Sequence, residues 1–172
     1  IFYFFRRKIF SIGMCWVFVA PILGCELKKG GEMINQNELQ EKIKVGEIAN
    51  LNKILKLKKS NGIICVLYPY QLLVAESVLH SAQINAHLRA TNYSADESHW
   101  AFVIVENDAV IVSKFKRSEK FDILAAHEIQ AAHRKSLLIK GFEPANCAAT
   151  IYASIAKIEL RNRIFLVLGE IK

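Results

Sequence analysis

Short apolar segments separated by turn residues follow one another along the chain from residue 45 onward. Residues Ile63 to Tyr68 form a continuous apolar run that ends at Pro69, which is typical of a buried strand. Residues Asn52 to Lys59 and Ile84 to Ala90 instead alternate between apolar and polar side chains. Because side chains on a strand point alternately to opposite faces, this alternation predicts two half-buried strands.

A hairpin is predicted between residues 100 and 115. Trp100 to Val105 leads into the polar residues Glu106-Asn107-Asp108, and Ala109 to Phe115 leads out of them. Asn and Asp tolerate the positive φ that a tight hairpin turn requires. Both faces of the first strand are apolar, so we expect it in the middle of a sheet and covered on both sides.

A second pair of strands is predicted near the end of the chain. One strand lies within Ala148–Leu160 and the other is Ile164–Leu168. The polar residues Arg161-Asn162-Arg163 join them. The sequence therefore predicts two adjacent strands here as well, joined by a short polar connection.

Residues 119–138 fit two interpretations. The segment is rich in helix-forming residues, yet its apolar side chains do not make one stripe at helical spacing. A short helix and a strand followed by a loop therefore both remain open. With about seven predicted strands in about 125 residues, we expect a mostly β protein. Its expected architecture is a single immunoglobulin-like β-sandwich domain over residues 45–172, with room for one short helix near 119–135.

The first 25 residues have the order of an export signal. Three basic residues at positions 6–8 precede an uncharged apolar run of about 15 residues, shorter than the roughly 20 that a spanning helix needs. The run ends at Ile22-Leu23-Gly24-Cys25, which resembles the lipobox of bacterial lipoproteins. The resemblance implies removal of residues 1–24 as a signal peptide, diacylglycerol on Cys25 and a lipid anchor in the membrane. A core helix that contains Cys25 is the alternative.

Residues 25–44 are polar and contain glycine, which predicts a tether between the lipid and the domain. Glu26 follows Cys25, and the enterobacterial lipoproteins that this segment resembles carry Asp there when they stay in the inner membrane. The expected location is therefore the cell envelope, facing the periplasm, with the outer membrane favoured over the inner.

The net charge of the chain does not alter the expected function. The chain has a net charge of +7, and loss of residues 1–24 would remove Arg6, Arg7 and Lys8 and no carboxylate, which leaves +4. So small a charge on an exported protein gives no reason to expect nucleic acid as a partner.

The four cysteines fall into different roles. Cys15 lies in the predicted signal peptide and Cys25 would carry lipid, which leaves Cys65 and Cys147. Because the periplasm is oxidising, an even pair predicts one disulfide. Closing a loop of about 82 residues would contribute about 4–5 kcal/mol in the chain-entropy model. Two separate buried thiols are the alternative.

No residue pattern predicts a catalytic, metal or cofactor site. His127-Glu128 precedes His133, but a zinc motif of the form His-Glu-x-x-His needs its histidines four positions apart. Six positions turn a helix by about 240° net, so the two rings would point to different sides. The other histidines show no ligand spacing: His80, His87 and His99.

Several aromatic residues lie near predicted strand ends. Tyr68, Tyr70, Tyr93 and Trp100 would be good interface anchors if they were exposed, and packing in the core or in turns is the alternative. The basic cluster Lys114, Lys116 and Arg117 is expected to be a solvated face.

A second resemblance covers much of the domain. It rests on Ile64-Cys65-Val66 with Tyr68-Pro69, and on the run from Lys116-Arg117-Ser118 through Gly141-Phe142-Glu143-Pro144-Ala145-Asn146-Cys147-Ala148 to Leu168-Gly169-Glu170-Ile171. These stretches resemble small periplasmic lipoproteins of enterobacteria that are labelled type VI secretion immunity lipoproteins.

That resemblance implies a lipid-anchored periplasmic binding protein that blocks an envelope-targeting toxin by steric occlusion and without turnover. The expected partners are the membrane, through the lipid, and a protein. No small-molecule substrate is expected, and no toxin-contact residue can be assigned. A structural or assembly lipoprotein of the outer membrane and an enzyme are the alternatives.

Overall fold

A computed structural model describes residues 34–57 and 61–171. The predicted signal peptide, the lipid attachment at Cys25 and the first part of the tether lie outside these residues and stay predictions. The strands are β1 Ile48–Asn50, β2 Ile63–Leu67, β3 His99–Glu106, β4 Ala109–Lys116, β5 Asp122–Ile123, β6 Phe142–Pro144, β7 Cys147–Ala149, β8 Ala153–Leu160 and β9 Arg163–Ile171. The helices are α1 Gln36–Lys42, α2 Leu51–Leu55, α3 Ser81–Ala90 and α4 Ala131–Ile139.

The strands form two sheets. The first, called the disulfide sheet, has the order β4-β3-β2-β7 and is antiparallel throughout. The second, called the terminal sheet, has the order β1-β8-β9-β5, and β6 also pairs with β9. Its pairs are antiparallel except for β5, which runs parallel to β9. The prediction of a mostly β sandwich is confirmed.

The predicted hairpin is present, and the two strands predicted near the end of the chain form a second one. Both hairpins use two-residue turns. Asn107 and Asp108 connect β3 to β4 with φ of 47° and 62°. Arg161 and Asn162 connect β8 to β9 with φ of 50° and 62°. Positive φ at both central residues is the type I′ geometry, whose twist matches that of the strands it joins. The turn residues therefore set the register of both hairpins.

The central core lies between the two sheets. Trp100 on β3 is fully buried, with its ring centroid 5.1 Å from that of Phe102 and 4.4 Å from that of Phe115. Phe121 adds a third ring at 5.5 Å, and Leu168 of the terminal sheet belongs to the same buried cluster. Aromatic pairs of this kind contribute about 0.5–1.5 kcal/mol each beyond their area burial.

Each sheet is covered on its outer face by one helix. Ile84 and Leu88 of α3 pack with Val103 on the disulfide sheet, and Leu137 of α4 packs with Val167 on the terminal sheet. The layers are therefore helix, sheet, sheet, helix. As predicted, β3 lies inside its sheet and is covered on both faces.

The prediction of a strand over Ile84–Ala90 was wrong, because these residues belong to α3. Ile84 and Leu88 lie on one face of a helix as well as on one face of a strand, so alternation alone does not separate the two. The disulfide sheet has an apolar outer face to cover, and the helix places both side chains on it.

The predicted strand over Asn52–Lys59 was also wrong for the part that the structure describes. Leu51–Leu55 is the short helix α2, and the side chain of Asn50 caps it by accepting a hydrogen bond from the Lys53 N–H at 3.2 Å. The helix ends at Lys56, which has a left-handed φ of 52°. An N-cap side chain satisfies a donor that the helix itself leaves free, and this local bond favours helix here.

The end of the predicted tether belongs to the folded domain instead. Leu39 on α1 and the following Ile43 are buried in the central core. The Lys157 ammonium on β8 donates to the carbonyl oxygens of Gln40 and Ile43, at 2.7 and 2.9 Å. These contacts hold α1 against the sandwich, so the domain begins ahead of the expected boundary at residue 45.

The predicted disulfide is confirmed. Cys65 on β2 and Cys147 on β7 are opposite residues of neighbouring strands, with their Cα atoms 4.0 Å apart. The bridge of an immunoglobulin domain joins two sheets, whereas this one lies within a single sheet.

The ambiguous segment contains both elements that its sequence left open. Asp122 and Ile123 form β5, a loop follows, and α4 begins at Ala131. The helix starts late in the predicted window of 119–135 and ends beyond it.

Candidate functional site

The segment after β2 is a long ordered loop, here called the tyrosine loop (residues 68–80). Pro69 follows β2 closely, and a residue without an N–H cannot extend a paired strand. The loop is held to α3, because the main-chain N–H and C=O of Val74 bond to the side-chain amide of Asn85 at 2.9 and 3.0 Å. Both residues are buried, so this contact fixes the middle of the loop.

The same loop exposes large side chains to solvent. Tyr70 is 66% exposed, and Leu72 and Leu79 are also more than half exposed. Tyr70 has a φ of 64°, which is uncommon for a residue with a side chain. Its hydroxyl donates to Oε2 of Glu97 at 3.2 Å, so the exposed ring has a defined position.

Tyr68 lies at the base of the loop and is half-buried. Its hydroxyl donates to Oδ1 of Asn146 at 2.9 Å. Burial raises the pKa of Tyr68 well above its ordinary value, and the nearby Glu128 carboxylate raises it further. The phenol therefore stays protonated and acts as a hydrogen-bond donor.

Next to Tyr68, two arginines hold one buried aspartate. The Asp122 side chain has no exposed surface, and its Oδ1 and Oδ2 accept from Nε and Nη2 of Arg117 at 2.8 and 2.9 Å. Oδ2 also accepts from Nη2 of Arg163 at 2.8 Å. Since Arg117 follows the disulfide sheet and Arg163 begins β9, this arginine clamp joins the two sheets at one end of the sandwich.

Two open cavities lie beside the clamp. One, of about 300 Å³, is lined by Tyr68, Arg117 and His127, among others. The other, of about 350 Å³, has Arg163 in its wall. Glu128 lines both cavities, so the two share a wall.

These groups make one continuous surface, here called the tyrosine–arginine face: Tyr68, Tyr70, Arg117, Glu128 and Arg163. Its continuity is visible at Glu97, whose carboxylate accepts from Tyr70 and whose main-chain oxygen accepts from Nη1 of Arg117 at 2.9 Å. The face offers aromatic surface, guanidinium donors and a carboxylate acceptor. Tyr and Arg are the residue types most enriched among energetically dominant interface contacts.

A second charged cluster lies on a different loop. Asp96 accepts from Nζ of Lys114 at 2.8 Å and contacts Nδ1 of His99 at 2.7 Å. The Lys114 hydrogen bond lowers the pKa of Asp96 well below its ordinary value, and the contact with His99 lowers it further. The cluster pins the loop before β3 to the hairpin that follows.

The predicted aromatic anchors separate into two groups. Tyr70 is exposed and Tyr68 is half-buried, and both lie on the tyrosine–arginine face. Trp100 is fully buried and Tyr93 packs under α3, so both serve packing, which was the alternative.

The sequence pattern does not reveal the arginine clamp. Arg117 belongs to a basic cluster that is expected to be solvated, whereas its side chain is 30% exposed and paired with Asp122. Arg163 is distant from both in the sequence, and no spacing rule links a hairpin turn to the aspartate of another strand.

The candidate metal residues are not brought together. His127 lines a cavity, whereas His133 lies within α4. Across residues 34–57 and 61–171, no group of three or more His, Cys, Asp or Glu side chains is placed to hold a metal ion. No helix in the same ranges is long and apolar enough to cross a membrane.

Comparison with protein families, with curated proteins and with solved structures finds no match for this chain.

Proposed function

We propose that this protein is a lipid-anchored envelope protein that binds a protein partner through the tyrosine–arginine face. The partner is a toxin that acts in the envelope of the cell, and the protein is an immunity protein that occludes it. The observation that carries the proposal is the held position of exposed Tyr70 beside the arginine clamp.

A face of this composition suits binding to a protein. Tyrosine supplies contact area with few rotatable bonds, and arginine supplies planar donors for carboxylates. The anchored loop and the paired arginines are ordered before any partner arrives, which lowers the entropy cost of association. Pairing to Asp122 leaves part of each arginine side chain in solvent, 30% of Arg117 and 45% of Arg163.

The anchor explains how one binding face could protect a cell. Lipid on Cys25 would confine the protein to the membrane surface, and confinement raises the effective concentration of a binder near its target. The disulfide between Cys65 and Cys147 suits an oxidising compartment, which supports an envelope location.

The test uses the full chain in cells that are challenged by a toxin-delivering neighbour. Survival should depend on the chain and should fall when Cys25→Ser removes the lipid site. Tyr70→Ala should weaken binding to the captured toxin by roughly thirtyfold, the size expected for a dominant interface residue. Tyr152→Ala is the matched control, because Tyr152 is a 54% exposed tyrosine in the turn before β8.

The outcomes separate the candidate functions. Crosslinking of the anchored chain followed by mass spectrometry should recover one toxin in a stoichiometric complex. Recovery of resident envelope proteins alone, with unchanged survival, would overturn the immunity proposal and favour an assembly role. An equal effect of Tyr70→Ala and Tyr152→Ala would refute the assignment of the face.

A further inference from the structure

The longest exposed edge of the described sheets is strand β4. It has eight residues, whereas the other edge strands are two or three residues long: β1, β5, β6 and β7. Very short edge strands are one way in which proteins avoid pairing with other chains. This protection is present at the other edges and is lacking at β4.

The outward-facing main chain of β4 can be read from its pairing. The two-residue turn makes Glu106 and Ala109 a hydrogen-bonded pair. Because bonded and non-bonded pairs alternate along an antiparallel ladder, the odd-numbered residues of β4 bond to β3. The even-numbered residues point their N–H and C=O groups away from β3. Lys116 shows this directly, because its N–H and C=O bond to the side-chain amide of Gln36, each at 3.3 Å. At that end of the strand, one glutamine side chain occupies the place of a neighbouring strand.

The rest of the edge is open within the part of the chain that the structure describes. The outward main-chain groups of Val110, Val112 and Lys114 meet no hydrogen-bonding partner among residues 34–57 and 61–171. Lysine side chains commonly block such edges, but Nζ of Lys114 is held by Asp96 Oδ2 and by the Ser94 carbonyl at 2.8 and 3.0 Å. The strand contains no proline and pairs with β3 in regular register over its whole length.

We propose that β4 pairs antiparallel with the β4 of a second copy of this chain, about a two-fold axis at Val112. This register sets Val112 opposite itself and Val110 opposite Lys114, and it uses all three open residues in about six main-chain hydrogen bonds. It leaves the bond between Gln36 and Lys116 in place.

The charges of the hairpin fit this register. The turn of one copy comes near the Lys116 end of the other, beyond the Gln36 amide, so the Asp108 carboxylate and the Lys116 ammonium attract each other across the interface. The symmetry repeats this attraction. Lys114 meets an uncharged valine, and its own charge is already paired with Asp96. Opposite charges across neighbouring strands favour pairing, and like charges oppose it.

The place where the described chain begins is compatible with membrane attachment of such a dimer. The Ile34 N–H donates to Oγ of Ser113 at 3.3 Å, so the described chain begins beside the proposed axis. Because a two-fold axis perpendicular to the sheet keeps the same face of both copies on the same side, both chains enter from one side of the dimer.

The direct test is a cysteine at the axis. Val112→Cys in the full chain, solubilised in detergent and mildly oxidised, should form a disulfide-linked dimer of twice the single-chain mass on a non-reducing gel. Opposite residues of a bonded antiparallel pair lie about 5.5 Å apart at Cα, within disulfide range. Tyr152→Cys, exposed and away from the edge, should crosslink far less.

Two further variants make the test independent of that cysteine. Val112→Pro removes the N–H at the axis and should give a monomer by sedimentation, since proline is tolerated on an outward edge position. Asp108→Lys should weaken the dimer roughly tenfold, and adding Lys116→Asp should restore it. A single-chain mass for the unmodified protein at all concentrations would overturn the proposal, as would an unchanged dimer in the folded Val112→Pro variant or failure of the charge swap to restore pairing.

Discussion

The two hairpins of this protein are locally alike and differ in what surrounds them. Both join long strands through two residues of positive φ. The second strand of the C-terminal hairpin, β9, has β8 on one side and β5 and β6 on the other. The second strand of the β3–β4 hairpin, β4, has β3 on one side, and within the described residues only the Gln36 side chain bonds to the main chain of its outer edge, at Lys116. The same local structure therefore becomes the centre of one sheet and the edge of the other.

The difference extends to the charges near each hairpin. Arg163 follows the β8–β9 turn and bonds to the fully buried Asp122. Lys114 of the β3–β4 hairpin bonds to Asp96, which is 44% exposed. An ion pair with a buried member matters more for stability than an exposed pair, because removing one partner leaves a charge without compensation. The hairpins should therefore respond differently to substitution.

The largest effect should come from the disulfide that ties β2 to β7. Replacing Cys65 and Cys147 together by Ala should lower the free energy of unfolding by about 4 kcal/mol. Without the bridge, the unfolded chain is no longer closed over a sequence separation of 82 residues and gains conformational entropy. Urea unfolding measures the loss. The unmodified protein under reducing conditions is the control and should match the variant. A loss below about 1 kcal/mol would contradict the entropic role of the bridge.

Removal of the buried aspartate should have the second-largest effect on stability. Asp122→Ala should lower the free energy of unfolding by about 2–3 kcal/mol, at the low end for a buried ion pair because both arginine partners are partly exposed. Thermal and urea unfolding measure the change. Asp96→Ala is the matched control and should cost clearly less. Equal losses at the two sites would remove the proposed contrast between them.

The crowding of β9 can be tested at Gly169. A Cβ at this position would lie 2.6 Å from the ring carbon Cζ of Phe142 and would also collide with the Glu143 carbonyl. Gly169→Ala should therefore lower the free energy of unfolding by about 2 kcal/mol in a urea titration, as expected for overpacking. Ile171→Ala, near the exposed end of the same strand, should change this free energy by no more than about 0.5 kcal/mol.

The two turns should respond equally, because their geometry is local. Glycine adopts positive φ without steric cost, so Asp108→Gly and Asn162→Gly should each raise the free energy of unfolding by about 0.5–1 kcal/mol. Unfolding in dilute protein measures both gains. At higher protein concentration the gain in unfolding free energy from Asp108→Gly should be smaller, because the variant loses the proposed attraction to Lys116 of a second copy.

The smallest effect concerns pH. Because Lys114 and His99 lower the pKa of Asp96, this carboxylate contributes stability above its ordinary pKa, and the contribution is lost as the pH falls through its lowered value. The Asp96→Asn variant should therefore have a lower melting temperature than the unmodified protein at pH 7, and this difference should become smaller in acid. A difference in melting temperature that grows in acid would contradict a lowered pKa of Asp96.

The amount that could be predicted from the sequence differs between elements. The β3–β4 hairpin, the last two strands and the disulfide were predictable. Turn residues act locally, and the number of cysteines left one pair for a bridge. The strand assigned to Ile84–Ala90 was wrong, because Ile84 and Leu88 satisfy both the helix and the strand period. The tyrosines of the candidate face could be named in advance, but their exposure could not.

The order of residues is enough to identify the apolar segments, the tight turns and the cysteines that can pair. It does not show that Arg117 and Arg163 meet at Asp122 or that β4 lies at an edge, which depends on the folded chain. Turns and strand patterns depend on residues a few positions apart. Burial, ion pairing and edge exposure depend on which distant segments pack together, and packing is a property of the whole chain.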